Sequence, residues 1–338
     1  MAAVGAPWPG VVAVSGGSDS LTLMLLLADW AKAKRVAPPV VAIVDHGLRP
    51  ESAGEARQVA RWAKKAGLMA HILTATTPAP QSDIEAAARS LRYGLIGKWA
   101  AKRKLAAVYV AHTRDDQAET FLLRLARGSG VDGLAGMRPV SPYPVPDYPG
   151  LCVVRPLLNV DRSALRRMLV ARGQSWLDDP MNADARFARV RIRLAWAQLE
   201  PLGLTPTRLA ETAAHLGRAR QALETVALAV LARACHPVAR GYALDPAALA
   251  GAPPELGLRA LASVLMGVSQ NPYRPRFERL HALFGAVCGG VLGGGRTLHG
   301  CRIAPAPKAL QLFGPGTVLV EREKGRNPGK KTTGRTGS

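Results

Sequence analysis

The first two hundred residues alternate short apolar runs with longer stretches that are typical of helices. Each run is continuously apolar, as expected for a strand of a parallel sheet that helices cover on both faces. Strands and helices in regular alternation predict an α/β domain with a doubly wound, Rossmann-like and mainly parallel sheet. The four runs are VVAV (11–14), VVAIVDH (40–46), MAHILTA (69–75) and AAVYVAH (106–112).

Polar groups directly follow three of these four strands. In doubly wound sheets, ligands bind outside the carboxyl ends of the strands, near the point where the strand order reverses. The sequence therefore predicts one binding site made of groups that lie far apart along the chain. These groups are SGGSDS (15–20), Asp45, His46, His112, Asp115 and Asp116.

The segment SGGSDS is typical of a loop that binds phosphate. Its two glycines have no Cβ atom, so backbone N–H groups can approach phosphate oxygens, and the following helix directs its positive N-terminus to the same place. Three serine hydroxyls can donate further hydrogen bonds. The predicted phosphate-binding residues are Ser15, Gly16, Gly17, Ser18, Asp19 and Ser20.

Asp19 is the unusual member of this loop, because a carboxylate repels phosphate unless a divalent cation lies between them. We therefore interpret Asp19 as a Mg²⁺ ligand. The alternative is a plain glycine turn in which Asp19 supports the start of the helix. The chain has no G-x-x-x-x-G-K-[ST] motif, so it has no Walker lysine for a γ-phosphate.

Further candidate residues lie beside the fourth strand. His112 and Asp116 are four residues apart and can share a helix face, while Arg89 and Arg92 precede that strand and could neutralise phosphate charge. The alternatives are an ordinary strand-end histidine, an acidic helix start and a solvated basic face. We favour a functional role for His112 and Asp116 because they fall at the predicted ligand edge.

The charge balance indicates a polyanionic partner. The chain has 45 Lys+Arg and 24 Asp+Glu, a net charge of +21, which favours binding to nucleic acid or an anionic membrane. RFARVRIRLAW (186–196) concentrates this charge, and an exposed basic helix start is the alternative to a nucleic-acid contact there. The predicted contacts are Arg186, Arg189, Arg191 and Arg193.

The longest apolar stretch, LTLMLLLA, is shorter than the roughly 20 residues of a membrane span. We therefore expect a cytoplasmic protein without a membrane partner. Its four cysteines are widely separated and form no C-x-x-C motif, which argues against a zinc or iron–sulfur site.

Several segments together resemble a known family. SGGSDS after a first strand is similar to the signature of the PP-loop ATP-pyrophosphatase superfamily. Within that superfamily, the chain closely resembles the bacterial tRNA(Ile)-lysidine synthases. The segments that carry this resemblance are VDHGLRPES (44–52), AHTRDDQAETFLLRLARGSGVDGLAGM (111–137), RPLL (155–158) and WLDDPMNAD (176–184).

The resemblance implies a ligase that uses ATP and Mg²⁺. It would adenylate C2 of the wobble cytidine, position 34, of a CAU-anticodon tRNA(Ile). Free L-lysine would then attack that carbon and give lysidine, AMP and pyrophosphate. The family's metal-binding aspartate corresponds to Asp19, its arginine to Arg92 and its histidine–aspartate pair to His112 and Asp116. The resemblance does not decide whether His112 or Asp116 accepts the lysine proton.

The family pattern has Asn after the arginine that corresponds to Arg189, whereas this chain has Val190.

Together with the change of pattern after residue 200, the resemblance predicts three regions. They are a PP-loop ATP-binding catalytic domain (1–200), a mostly helical tRNA- or substrate-binding domain with a small β element (201–320), and a basic disordered tail (321–338).

Two other functions remain open from the sequence. A tRNA thiolase with the same loop would need reactive or cluster-binding cysteines, and Cys152 is the single cysteine in the first 200 residues. A non-catalytic basic RNA-binding protein would need neither Asp19 nor the pair of His112 and Asp116. The sequence leaves the oligomeric state open, with a homodimer as one option.

Overall fold

The computed structural model describes residues 5–47, 50–75, 84–178, 184–271 and 273–323. The chain divides into two compact units, residues 1–220 and 221–338. The sequence-based division at residue 200 falls earlier, because the first half of a long helix packs within the first unit. Leu209 and Ala213 of that helix lie in a buried cluster with Ala118 and Phe121.

The first unit contains a six-stranded sheet in the order β3-β2-β1-β4-β6-β5. All neighbouring pairs are parallel except β5 with β6. The predicted doubly wound, mainly parallel sheet is therefore confirmed. The strands are β1 (Val11–Ala13), β2 (Val40–Asp45), β3 (Ala70–Thr74), β4 (Ala107–Tyr109), β5 (Val140–Pro142) and β6 (Cys152–Val154).

Helices cover both faces of this sheet. Val12 lies in a buried cluster with Leu21 and Val59, whereas the neighbouring Val11 lies in a second cluster with Ile96. Both faces of β1 are thus buried, which explains its continuously apolar sequence. The helices are α1 (Ser18–Lys34), α2 (Ser52–Lys65), α3 (Ile84–Lys102), α4 (Arg114–Leu125), α5 (Val131–Leu134), α6 (Arg162–Ala171), α7 (Ala188–Leu199) and α8 (Pro206–Ala234).

The second unit combines helices with a five-stranded antiparallel sheet in the order β7-β8-β11-β10-β9. The sequence indicated only a small β element here. Strand β11 includes Glu321 and Arg322, and residues 324–338 of the predicted tail lie outside the described residues. The elements are β7 (Cys235–Val238), β8 (Gly241–Leu244), α9 (Pro246–Ala250), α10 (Pro254–Ser269), α11 (Phe277–Cys288), β9 (Arg296–Leu298), β10 (Cys301–Pro305) and β11 (Val318–Arg322).

No helix in the described part of the chain is long and apolar enough to cross a bilayer.

Candidate active site

The loop after β1 depends on Gly16 for its shape. Gly16 has a φ of +94°, in the left-handed region that glycine adopts readily and other residues avoid. A Cβ atom there would lie 2.6 Å from Cδ1 of Leu177 and 2.9 Å from Cγ2 of Val59. The missing side chain therefore allows the loop to pack against its neighbours. At Gly17, a Cβ would meet nothing closer than Oγ of Ser15 at 3.7 Å.

The N-terminus of α1 is available to an anion. Gly17 caps the helix in an extended conformation, and no described side chain caps the first turn. The N–H groups of this turn consequently carry the partial positive charge of a free helix end. Ser20 shapes the loop, since its hydroxyl donates to the Gly17 carbonyl at 3.0 Å and accepts from the Ser15 N–H at 3.2 Å. Ser15 is exposed.

Asp116 is fixed by the start of α4. Thr113 is the N-cap of that helix, and its N–H and hydroxyl both donate to Oδ2 of Asp116 at 2.8 Å. Oδ1 of Asp116 accepts from Arg162 at 3.1 Å and from Arg189 at 3.4 Å. Burial opposes ionisation of Asp116, but Arg162, His112 and the Thr113 bonds together hold its pKa below the ordinary value. Asp116 is therefore a carboxylate with both oxygens occupied.

A buried ion cluster joins α1, α4, α6 and α7. Glu119 is fully buried and accepts from Nε of Arg193 at 2.6 Å, with Nη1 of Arg162 at 3.3 Å. Nε of Arg162 also lies 3.0 Å from Oδ2 of Asp19. Burial alone would lower the pKa of Arg162, but the carboxylates of Asp116, Glu119 and Asp19 raise it. The cluster thus pairs three carboxylates with the guanidinium groups of Arg162, Arg189 and Arg193.

Asp19 is less strongly ionised than Asp116. Burial raises the pKa of Asp19, and the nearby charge of Asp116 adds to that effect, whereas Arg162 and the Ser18 hydroxyl oppose it. Ser18 donates to Oδ1 of Asp19 at 3.2 Å. A further cation at Asp19 would favour its charged form, since an opposite charge at short range stabilises a carboxylate.

His112 is neutral at physiological pH. Burial lowers the pKa of its imidazole, and the positive charges of Arg155, Arg189 and Arg89 lower it further against the effect of Asp116. Its Nδ1 atom is buried and has no hydrogen-bond partner in the described structure. His112 is therefore a neutral imidazole with an unused acceptor or donor position.

Arg92 lies near His46, the residue that follows β2. Burial lowers the pKa of His46, and the positive charge of Arg92 lowers it further, while Asp45 acts in the opposite direction. Asp45 itself accepts from the Gly47 N–H at 3.0 Å and from the Ser52 hydroxyl at 2.7 Å. Asp45 thus connects the end of β2 to Ser52, the first residue of α2.

A family model described as a PP-loop domain matches residues 9–199. The tRNA(Ile)-lysidine synthase of Methylobacterium nodulans is 44% identical over 309 residues, which cover 89% of this chain and 89% of that protein. The chain belongs to the tRNA(Ile)-lysidine synthase family. A further synthase, from Ruegeria pomeroyi, is 41% identical and covers 89% of this chain and 73% of that protein. One from Methylobacterium sp. is 43% identical and covers 96% and 94%, respectively.

Family membership confirms the resemblance that the sequence motifs predicted. In this lysidine synthase family member, Arg162 connects Asp19 and Asp116 through ion pairs, and Asp116 acts electrostatically on His112. No hydrogen bond or ion pair joins Arg92 to Asp19, His112 or Asp116 in the described structure. The catalytic roles of these four residues remain predictions.

The four arginines predicted to contact nucleic acid divide into two pairs. Arg189 and Arg193 bind the buried carboxylates. Arg186 is exposed and pairs with Asp184 at 2.7 Å, and Arg191 is exposed and donates to backbone carbonyls. Arg186 and Arg191 are therefore the members of this set that remain accessible to a large anion.

Sequence reasoning missed Glu119, Arg162 and Arg155. Glu119 follows Asp116 by three residues, a spacing that places both on one helix face. Arg155 directly follows β6 and is 8% exposed; its Nη1 donates to the Arg138 carbonyl and the Ser141 hydroxyl. These two residues could have been found by extending the sheet-edge argument. Arg162 had no such signal, because its partners are defined by tertiary packing.

The donor set at Asp19 fits Mg²⁺ bound together with a nucleotide. Among the described residues, no group of three or more His, Cys, Asp or Glu side chains could enclose a metal ion. Mg²⁺ in phosphate-transfer sites commonly uses one or two carboxylates, with substrate phosphates and water as the other ligands. Asp19, at the first turn of α1, can provide such a carboxylate.

Proposed function

We propose that this chain attaches free L-lysine to C2 of the wobble cytidine, position 34, of a CAU-anticodon tRNA(Ile), using ATP. The products are lysidine, AMP and pyrophosphate, and the reaction is that of a ligase. The observation that carries the proposal is the open N-terminus of α1 next to Asp19, joined through one ion cluster to Asp116. Membership of the lysidine synthase family supports the same reaction.

The first half of the reaction needs groups that hold a triphosphate. The free N–H groups of the α1 N-terminus and the exposed Ser15 hydroxyl would bind the outer phosphates. Mg²⁺ held at Asp19 would supply positive charge to the reacting phosphate. Arg92 adds a guanidinium at the same edge of the sheet, where it would reduce the cost of negative charge on the α-phosphate.

The second half of the reaction requires that the lysine ammonium lose a proton. His112 is the better acceptor, because its imidazole is neutral and its Nδ1 has no partner in the described structure. Asp116 is already bound by Thr113, Arg162 and Arg189 through both oxygens. An anionic adenylate beside the imidazole would raise the pKa of His112 and make it a stronger base.

The thiolase alternative is less well supported. Cys152 lies in β6, and burial raises the pKa of its thiol, so the reactive thiolate is disfavoured. A non-catalytic RNA-binding role gives no reason for the buried cluster around Glu119. Enclosing charged groups costs several kcal/mol per ion before pairing, and RNA contact requires no such cluster.

The tRNA substrate agrees with the charge of the chain, +21. Arg186 and Arg191 are exposed beside the site and could bind backbone phosphates. We place the reaction in the cytoplasm, where tRNA, ATP and lysine are all present.

The test is a reconstituted reaction. The purified chain is incubated with labelled lysine, ATP, Mg²⁺ and unmodified CAU-anticodon tRNA(Ile), and the nucleosides are analysed by mass spectrometry. We expect lysine on the wobble cytidine together with AMP. Methionine tRNA, which carries the same anticodon, serves as the specificity control. Sulfur incorporation would support the thiolase, and tRNA binding without AMP would support the RNA-binding protein.

A further inference from the structure

The side chain of Arg162 binds three carboxylates at once. It is the first residue of α6, and its backbone N–H donates to Oδ2 of Asp115 at 2.9 Å. Its side chain contacts Oδ2 of Asp19 through Nε at 3.0 Å, Oδ1 of Asp116 through Nη2 at 3.1 Å and Oε1 of Glu119 through Nη1 at 3.3 Å. One guanidinium therefore connects the first turn of α1 to α4.

The three carboxylates depend on Arg162 to different degrees. Asp116 also pairs with Arg189, and Glu119 also pairs with Arg193. For Asp19, Arg162 is the one ion-pair partner within the described residues. Since Ser18 donates to the other oxygen of Asp19, a metal ion that binds this carboxylate must displace Arg162 or share the group with it. Two cations so close together repel each other strongly.

Contacts other than the Arg162 ion pair also join α1 and α6. The Thr22 hydroxyl donates to the Leu165 carbonyl at 3.3 Å, in the buried middle of this contact. A second ion pair, Arg172 with Asp29 at 2.6 Å, joins the C-terminal end of α6 to α1. These two contacts do not involve Arg162, so α1 and α6 stay joined when its ion pair with Asp19 is lost.

We propose that Arg162 is a built-in counter-cation that occupies Asp19 in the empty enzyme and is displaced only when a divalent cation arrives together with ATP. Free metal then binds poorly, because it must replace a guanidinium without help from phosphate oxygens. The inference rests on the proposed function in one respect, the assignment of Asp19 as the metal ligand. Arg162 is here a positioning residue that makes metal binding conditional on nucleotide binding.

The test is a titration of the full chain with Mn²⁺, followed by electron paramagnetic resonance, first without ATP. In Arg162→Met we expect Mn²⁺ to bind about tenfold or more tightly than in the wild type, because a positive charge next to the ligand is removed. The matched control is Arg172→Met, which removes the other ion pair between α1 and α6 and leaves the affinity unchanged. With ATP present, phosphate oxygens supply further ligands, so both Arg162→Met and the wild type should bind Mn²⁺ more tightly than without ATP.

The double variant Arg162→Met/Asp19→Asn decides whether Asp19 is the ligand, since it should lose the gain in affinity. Arg162→Gln repeats the measurement with a polar, uncharged residue, in case the methionine variant does not fold. Equal Mn²⁺ affinity in the wild type, Arg162→Met and Arg162→Gln would overturn the inference. A gain that persists in the double variant would also overturn it.

This titration does not depend on catalysis, so the two proposals can fail separately. If the wild type forms lysidine but Arg162→Met does not change Mn²⁺ binding, the proposed reaction stands and the proposed role of Arg162 is wrong. If the wild type forms no lysidine but Arg162→Met binds Mn²⁺ more tightly through Asp19, the proposed reaction is wrong and the proposed role of Arg162 stands.

Discussion

The backbone N–H of Leu177 donates a hydrogen bond to the carbonyl oxygen of Gly16 at 2.9 Å. The chain after α6 therefore packs directly on the loop that follows β1, residues 14–17. Leu177 belongs to WLDDPMNAD, of which Asp179 to Ala183 lie outside the described residues. The described part of this family motif stabilises the loop through backbone and apolar contacts.

This contact predicts different effects for the two glycines of the loop. Gly16→Ala places a Cβ 2.6 Å from Leu177 on a backbone with φ of +94°, and we expect a loss of about 2 to 4 kcal/mol in the free energy of unfolding. Gly17→Ala is the matched control, because its Cβ meets only ordinary contacts. Because alanine is a poorer N-cap than glycine, Gly17→Ala should lower the free energy of unfolding by about 1 kcal/mol at most. Urea denaturation of both variants measures this, and equal losses would contradict the assigned role of Gly16.

Asp19→Asn tests the metal assignment. We expect the rate of pyrophosphate release to fall by about a hundredfold or more, because the charge supplied by a metal is worth several kcal/mol in such reactions. Binding of tRNA, measured by filter retention, should change little. Asp29→Asn is the control on the same helix, an exposed carboxylate paired with Arg172, and it should retain full activity. If Asp19→Asn lost tRNA binding and catalysis together, the metal role would be wrong.

The parallel sheet and its ligand edge could be predicted because their signals are local. The continuous apolar runs define strands buried on both faces, and the polar groups after VVAV and AAVYVAH identify the edge. The antiparallel sheet of the second unit was harder to recognise. Strands β7 and β8 have only four residues each, too short for a period of two to stand out from the helical pattern before them.

The ion cluster could not be predicted from the sequence for a different reason. Arg162 and Asp19 are 143 positions apart, so nothing in local spacing relates them. The same holds for the different environments of the arginines in the basic stretch 186–193. In the sequence these arginines look alike. In the structure, Arg193 pairs with the buried Glu119 and Arg189 pairs with Asp116. Only tertiary packing separates these arginines from the exposed ones.

His112 should remain neutral well below the pH at which an ordinary histidine ionises. Its lowered pKa means that the unfolded chain takes up this proton near pH 6.5 and the folded chain does not. Folding stability should therefore decline as the pH falls below about 6.5, by about 1 kcal/mol at pH 5.5 from this residue. Nuclear magnetic resonance of the ring protons measures the pKa directly, and His112→Gln identifies the signal.

The same titration tests the role of His112 as proton acceptor. A bound ATP analogue places negative charge near the imidazole, so the pKa should rise when the analogue is added. An ordinary pKa in the free enzyme would contradict the buried environment of His112. A pKa unchanged by the analogue would place the nucleotide elsewhere.

The exposed and buried arginines of 186–193 should affect tRNA binding differently. Arg186→Gln and Arg191→Gln each remove an accessible charge, and we expect each to reduce the dependence of log Kd on log salt concentration by about 0.7 to 0.9. Arg193→Gln instead weakens the ion pair with the buried Glu119. It should lower the free energy of unfolding by about 1 to 3 kcal/mol, with an unchanged salt dependence. Fluorescence anisotropy of labelled tRNA, measured between about 50 and 300 mM salt, gives the slopes. Equal slopes in all four proteins would show that this segment does not contact the tRNA backbone.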